Sequence, residues 1–261
     1  MPRDCGAFCF YAIRAVGCVV YYVLHTLKII AIVVIGNLLW LPVRPAVHAG
    51  GPAVHGKGVA PLRMLALGDS YTIGESVAVV DRYPVQVVRR LRDSDHVFFD
   101  RPEIIATTGW TTGNLLEAIS VSRPAGPYSV VTLLIGVNNQ YQGRSLSEYG
   151  EQLTTLLRQA IVLAGNRASH VLVLSIPDYS VTPFGRSASS TSQIAAQIDS
   201  FNFIGRKVTA RHGAEWLDIT TESRKAGKDM SLVAEDGLHF SGKEYGLWAR
   251  LMEPVIKGMG E

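Results

Sequence analysis

Four short turns of this chain carry residue types that together could perform acyl transfer. The first is Gly68-Asp69-Ser70, where the apolar run 65–67 gives way to a serine hydroxyl. A serine becomes an effective nucleophile only when a neighbouring base takes its proton, so this turn needs a partner elsewhere in the chain. Without one, the serine has an ordinary structural explanation, as a cap of the next helix.

The candidate base lies near the C-terminus, in Asp236-Gly237-Leu238-His239. The i, i+3 spacing in a turn places a carboxylate and an imidazole on the same side. Asp236 can then accept the proton on Nδ1 of His239 and leave Nε2 facing outward. The tetrapeptide therefore predicts the base and its orienting acid. Either residue alone could also be structural.

The two remaining turns follow apolar runs and carry small or amide residues. They are Thr108-Gly109-Trp110 and Gly136-Val137-Asn138-Asn139. If the apolar runs are parallel strands, their carboxyl ends meet at one edge of a sheet, where ligands bind in open α/β folds. Ser70, Gly109 and Asn138 are thus expected close together, although each also suits a plain turn.

The elements that must position these turns alternate along the chain. Apolar runs predict five strands, and amphipathic segments predict helices between and after them. The strands are expected at Arg63–Leu67, Glu103–Thr107, Ser129–Ile135, Val171–Ile176 and Glu215–Ile219, and the helices at Tyr83–Leu91, from Thr111 or Thr112 to Ile119, at Ser145–Ala164, around Ile194–Val208 and at Ser241–Lys257. The fold class is therefore α/β, a three-layer α/β/α sandwich with a five-stranded parallel sheet. Pro177–Ser190 is expected to be irregular.

The segment before these elements has a different composition. Residues 1–49 hold all three cysteines and the whole net charge of +3, and the rest has 21 basic and 21 acidic residues. This balance gives no indication of nucleic-acid binding. The apolar run Ile29–Leu41 followed by Val47-His48-Ala49 predicts a signal peptide cleaved after Ala49 and hence export, periplasmic or secreted. The alternative is an uncleaved membrane anchor.

Residues 50–61 have the composition of a flexible linker, so residues 62–261 are expected to form the folded domain. The other histidines, including His55, His96, His170 and His212, lack acidic or cysteine partners at a metal-binding spacing. We therefore expect no metal site, and hydrolysis through an acylated serine requires no cofactor.

With these motifs, the chain resembles the SGNH, or GDSL-type, serine esterases. The resemblance rests on four blocks in order, namely Gly68-Asp69-Ser70, Gly109, Gly136-x-Asn138 and Asp236-x-x-His239. It implies the flavodoxin-like SGNH hydrolase fold, the triad Ser70, Asp236 and His239, and an oxyanion hole of Ser70, Gly109 and Asn138. One departure is Asn139, where the family usually has aspartate, and it puts the support of the site in question.

The resemblance implies hydrolysis of carboxylic esters, either short-chain acyl or lipid-derived. A carbohydrate O-deacetylase of the cell envelope is the alternative, and a non-catalytic binding module on the same fold is a third possibility. An α/β-hydrolase is disfavoured because the serine turn lacks the second glycine of Gly-x-Ser-x-Gly. Aromatic residues near the turns are candidates for the substrate pocket. These are Tyr71, Trp110, Tyr179 and Phe184, with Tyr141 as a further possibility.

Overall fold

The computed structural model describes residues 60–188 and 190–259. The predicted signal peptide or anchor and most of the predicted linker lie outside these residues. The domain boundary expected at residues 61–62 stays a prediction.

The sheet has five parallel strands in the order β2-β1-β3-β4-β5. The strands are β1 (Met64–Gly68), β2 (Glu103–Ala106), β3 (Val130–Leu134), β4 (Val171–Leu174) and β5 (Glu215–Leu217). Every residue of β1 and β3 is buried, as expected for central strands covered on both faces. The three-layer α/β fold predicted from the sequence is confirmed.

Nine α-helices accompany the strands in the described residues. They are α1 (Ser70–Ile73), α2 (Tyr83–Asp95), α3 (Thr112–Ser122), α4 (Val137–Tyr141), α5 (Leu146–Leu163), α6 (Pro183–Ser187), α7 (Thr191–Arg211), α8 (Thr220–Ser223) and α9 (Gly242–Gly258). Right-handed crossovers place α2 on one face of the sheet and α3, α5 and α7 on the other. Helix α9 packs on α2, and α5 packs on both α3 and α7.

Strand register aligns the turns that carry the candidate residues. Gly68 at the end of β1 pairs with Ala106 of β2 and with Leu134 of β3. Ser70, Gly109 and Asn138 follow these three ends by two, three and four residues. The three turns therefore leave the sheet at one edge.

Several local expectations need correction. Pro177–Ser190 is not irregular, since it contains a 3₁₀ helix at Tyr179–Val181 and the one-turn helix α6. Each begins with a side-chain cap, from Asp178 and Thr182 respectively. A single turn is too short to show helical periodicity, so the caps were the only signal.

The edges of β4 and β5 also differ from the expected bounds. Both strands end two residues early, because the Ser175 hydroxyl accepts the backbone N–H groups of Ile219 and Thr220 and closes the β4–β5 edge. Leu146, the first residue of α5, is 39% exposed. The side chain of Thr111 caps α3, and that of Ser241 caps α9.

Candidate active site

The serine turn lies directly at the end of β1. Ser70 is the first residue of α1 and is 5% exposed. The helix is capped by Asp69, whose side chain accepts the Tyr71 N–H at 3.1 Å. Asp69 rather than Ser70 is therefore the cap, and the Ser70 hydroxyl is free for another role.

Gly68 lets the chain pass between β3 and α1. A Cβ atom there would lie 2.1 Å from Thr72 Oγ1 and 2.3 Å from the Leu134 carbonyl oxygen. Both distances are far inside van der Waals contact, and one of them involves backbone. Glycine is therefore required by packing at this position, not by its backbone angles.

Ser70, His239 and Asp236 lie in one line of hydrogen bonds. His239 Nε2 is 3.0 Å from Ser70 Oγ, and His239 Nδ1 is 2.6 Å from Asp236 Oδ2. The imidazole is 7% exposed and its edge packs on the Tyr71 ring at a centroid distance of 5.6 Å. This arrangement has the geometry of a serine nucleophile, a base and an acid that fixes the base.

Asp236 is held by four hydrogen-bond donors. Oδ1 accepts the backbone N–H groups of Leu238 and His239, each at 2.9 Å. Oδ2 accepts from His239 Nδ1 and, at 2.7 Å, from the hydroxyl of Ser76. Burial raises the pKa of Asp236, but the hydrogen bonds from Ser76, His239 and the backbone outweigh it and hold the pKa well below its usual value. Asp236 is therefore a carboxylate throughout the neutral range.

Gly109 and Asn138 lie beside the serine, on the same pocket. Gly109 has φ = 83°, and a Cβ atom there would meet nothing within 4 Å. Glycine is thus favoured by its left-handed backbone. The amide nitrogen of Asn138 donates one hydrogen to the Trp110 carbonyl at 3.0 Å, and an amide NH₂ has a second hydrogen to offer.

Asn139 sits behind Asn138 and is fully buried. Its Oδ1 accepts the Thr112 N–H at 3.0 Å, and its Nδ2 donates to Thr112 Oγ1 at 2.7 Å. The Thr112 hydroxyl then donates to Gln152 Oε1 at 2.5 Å. The amide therefore joins the start of α3 to α4 and α5, and the departure from aspartate leaves the turn supported.

Glu75 and Ser76 attach the serine turn to the other site turns. Thr108, next to Gly109, donates its hydroxyl to Glu75 Oε2 at 2.5 Å. Ser76 makes the bond to Asp236 described above. One short loop after α1 thus contacts both the glycine turn and the acid.

A pocket of about 310 Å³ opens over the serine. The walls of the pocket are mostly apolar or aromatic. Its solvent-facing side is formed by Phe184 (41% exposed) and Tyr141 (61% exposed). Besides Ser70, Gly109, Asn138 and His239, the lining residues are Tyr71, Thr108, Val137, Tyr141, Tyr179, Phe184 and Leu238.

Three of the four residues expected to contact substrate line the pocket, and the fourth lies elsewhere. Tyr179 and Phe184 line the pocket, and Tyr71 touches it from below while its ring supports the imidazole. The expectation for Trp110 is corrected, because its side chain lines a separate groove with residues of β2 and α3. Only its backbone oxygen reaches the site, as the acceptor for Asn138.

Sequence reasoning did not identify Ser76, Glu75, Val137 or Leu238. Ser76 has φ = 63°, which is unusual for a residue other than glycine. No sequence pattern predicts this backbone conformation. Its partner Asp236 lies 160 positions away in the chain. A contact of this kind follows from the folded arrangement of loops, which periodicity does not encode.

Within residues 60–188 and 190–259, no group of three or more His, Cys, Asp or Glu side chains could hold a metal ion. None of the described helices has both the length and the apolar character needed to cross a membrane.

Comparisons with known proteins agree with the fold and motifs. Residues 66–247 match the model of the GDSL-like lipase/acylhydrolase family. No curated protein matches the chain.

Solved structures with the same fold include TesA, with a TM-score of 0.60 and 16% identity over 76% of this chain and 99% of that one. A lipase/acylhydrolase from Enterococcus faecalis has a TM-score of 0.55 and 19% identity, covering 76% and 96%. The acetylxylan esterase Axe2 from Geobacillus stearothermophilus has a TM-score of 0.57 and 16% identity, covering 75% and 94%. At such identities the likeness shows a common fold, and the family model spans most of the folded region. The chain therefore belongs to the family of GDSL-like lipases and acylhydrolases.

Proposed function

We propose that the protein hydrolyses carboxylic esters through an acyl-enzyme formed on Ser70. The observation that carries this proposal is the hydrogen-bonded line from Asp236 through His239 to Ser70 Oγ. The three groups come from opposite ends of the domain, and each occupies the position that its role requires.

In the first half of the reaction, Ser70 Oγ attacks the ester carbonyl and passes its proton to His239 Nε2. Collapse of the tetrahedral intermediate breaks the bond to the alcohol oxygen, which takes that proton from the imidazole. In the second half, water attacks the acyl-enzyme, gives a proton to His239, and releases the acid when the proton returns to Ser70 Oγ. Asp236 keeps the proton of His239 on Nδ1 throughout.

The negative charge of each intermediate needs preorganised donors. We assign this role to the backbone N–H groups of Ser70 and Gly109 and to the second amide hydrogen of Asn138. Each donor of this kind is worth about 3–4 kcal/mol of transition-state stabilisation in serine hydrolases. The bond from Asn138 to the Trp110 carbonyl fixes the orientation of the amide before substrate arrives.

The acyl group is proposed to be short. The pocket of about 310 Å³ lies at the small end of the range of ligand pockets, which is roughly 300–1,000 Å³. Its walls are largely aromatic and aliphatic, so they suit a few methylene groups. A lipid-derived acyl chain would extend past Phe184 and Tyr141 and out of this pocket.

A panel of 4-nitrophenyl esters from acetate to decanoate, measured on the full chain, tests the proposal. We expect kcat/KM to be highest for two to four acyl carbons and to fall with longer chains. Ser70→Ala should abolish turnover of every ester. Equal activity of Ser70→Ala and the parent would refute the mechanism, and absence of turnover in both would favour a binding module.

We also propose that the protein is exported, with residues 1–49 acting as a signal peptide. Support comes from the apolar run and the small residue Ala49 before Gly50. Sequencing the N-terminus of the protein recovered from its native host should give Gly50 as the first residue. An N-terminus that retains residues 1–49 would favour the uncleaved anchor.

A further inference from the structure

A second cavity adjoins the catalytic pocket. It has a volume of about 580 Å³, and Tyr141 and Tyr179 line both cavities. Tyr141 is 61% exposed and its ring packs on Tyr179 and Phe184 at centroid distances of 6.4 and 6.3 Å. The two cavities are therefore neighbouring parts of one cleft, with an aromatic ring between them.

The wall of the second cavity differs from that of the first. Its reachable groups are mainly amides, hydroxyls and a guanidinium, from Arg144, Ser190, Gln193, Gln197 and Ser200. Leu146 (39% exposed) adds an apolar patch to this wall, whereas Ile194 and Phe201 beneath the polar groups offer little surface, at 8% and 5% exposed. An alkyl chain placed here would desolvate polar groups without replacing their hydrogen bonds, which is unfavourable.

Part of this polar wall is fixed by internal hydrogen bonds, and part is available to a ligand. Gln140 accepts from the Tyr179 hydroxyl at 3.0 Å and donates to Gln197 Oε1 at 2.7 Å, which orients the Gln197 amide. Arg144 is 52% exposed at its side chain and has only a distant ion pair with Glu148, at 3.9 Å. The backbone N–H of Gln193 donates to the Ser190 carbonyl, but its side-chain amide has no hydrogen-bond partner among the described residues. Donors and acceptors thus face the cleft beside an open aromatic ring.

We propose that this second cavity binds the alcohol half of the ester, and that this alcohol is polyhydroxylated, as a sugar is. The inference rests on the proposed function, because the cavity is defined by its place beside Ser70. A ring of hydroxyl groups matches amides and a guanidinium that can donate and accept, and its apolar face matches the face of Tyr141. The short acyl group occupies the smaller, apolar pocket.

The test compares two acetate esters on the full chain, 1-O-acetylglucose and 4-nitrophenyl acetate. The variant Arg144→Leu/Gln193→Leu changes two exposed cleft side chains and nothing in the core. We expect the ratio of kcat/KM for the sugar ester to that for the nitrophenyl ester to fall about tenfold, the equivalent of one or two lost hydrogen bonds. A matched control is Gln142→Leu/Arg206→Leu, whose side chains are exposed but do not line the cleft. It should leave the ratio unchanged.

Three results would overturn the inference. The first is an unchanged ratio in Arg144→Leu/Gln193→Leu, and the second is an equal fall in the control variant. The third is cyclohexyl acetate turned over as well as the sugar ester by the parent, since this alcohol has the ring but no added hydroxyls. Failure of the proposed function would look different, because Ser70→Ala would then still hydrolyse 4-nitrophenyl acetate.

Discussion

At the scale of single residues, Asp236 depends on a neighbour outside the family motifs. Its Oδ2 is shared between His239 and the hydroxyl of Ser76. The Ser76 bond helps to keep Asp236 ionised, and it is one of the four hydrogen bonds that hold the carboxylate beside His239. We regard Ser76 as a positioning residue, since it acts on the base through Asp236.

Removing the Ser76 hydroxyl should lower kcat about tenfold, or about 1.4 kcal/mol, with little change in KM. Ser76→Ala and Ser76→Gly form a matched pair, because both delete the hydroxyl and only glycine relieves the positive φ of 63°. We expect equal losses of kcat in the two variants, with Ser76→Gly the more stable in urea unfolding. If the more stable Ser76→Gly instead kept most of the parent kcat while Ser76→Ala lost it, the hydroxyl would have only a structural role.

At the scale of elements, a buried chain of hydrogen bonds holds together the turns that carry Gly109 and Asn138. It runs from Asn139 through the Thr112 hydroxyl to Gln152, and so links α4, α3 and α5. A single hydroxyl hydrogen cannot serve two acceptors. Asparagine at position 139 donates to Thr112 and leaves that hydrogen for Gln152, whereas aspartate would compete for it.

Restoring the usual family residue should therefore destabilise this protein. We expect Asn139→Asp to lower the free energy of unfolding by about 1–3 kcal/mol, because it buries a charge and leaves Gln152 Oε1 without a donor. Urea unfolding of a double-mutant cycle with Gln152→Ala checks the reason. The loss in the double variant should be smaller than the sum of the single losses, and simple additivity would contradict the proposed competition.

The order of strands and helices could be predicted at this scale, because long elements carry repeated hydrophobic positions. The one-turn elements could not. Helix α6 and the 3₁₀ turn at Tyr179–Val181 depend on single capping side chains, and they form the wall that Tyr179 and Phe184 give to the pocket. The juxtaposition of Ser70, His239 and Asp236 could be predicted from residue types in order, but the Ser76 and Thr112 contacts arise from the packing of loops and helix ends that are distant in sequence.

At the scale of the whole molecule, buried carboxyl groups make the free energy of unfolding depend on pH. Glu244 in α9 is fully buried, and its Oε1 accepts from Trp248 Nε1 at 2.7 Å. Burial raises its pKa from 4.5 to about 7. Between these values Glu244 binds more protons in the folded protein than in the unfolded chain, so its contribution to the free energy of unfolding falls as pH rises from about 4.5 to 7.

Glu244→Gln should flatten this part of the stability profile while preserving the bond to Trp248. We expect the parent to lose as much as about 3 kcal/mol more than the variant between pH 4.5 and pH 7.5. Urea unfolding of both proteins at these two pH values measures the difference. If the free energy of unfolding changed equally with pH in both proteins, Glu244 would ionise in the folded protein without destabilising it.

The whole fold also explains why one reactive serine is expected. The parallel sheet brings Ser70 to His239 across 169 positions of sequence, and the described residues place the pair at the base of a pocket. Only a hydroxyl with a base at hydrogen-bond distance should be activated among the many serines of the chain. Reaction with an electrophile that mimics an ester therefore reports directly on the proposed nucleophile.

The most direct test is labelling of the full chain with a fluorophosphonate, followed by intact mass measurement and peptide mapping. We expect one adduct per molecule, on Ser70, with no adduct in Ser70→Ala and greatly slowed labelling in His239→Ala. An adduct on another residue, or ester hydrolysis that persists while Ser70 stays unlabelled, would contradict an acyl-enzyme on Ser70.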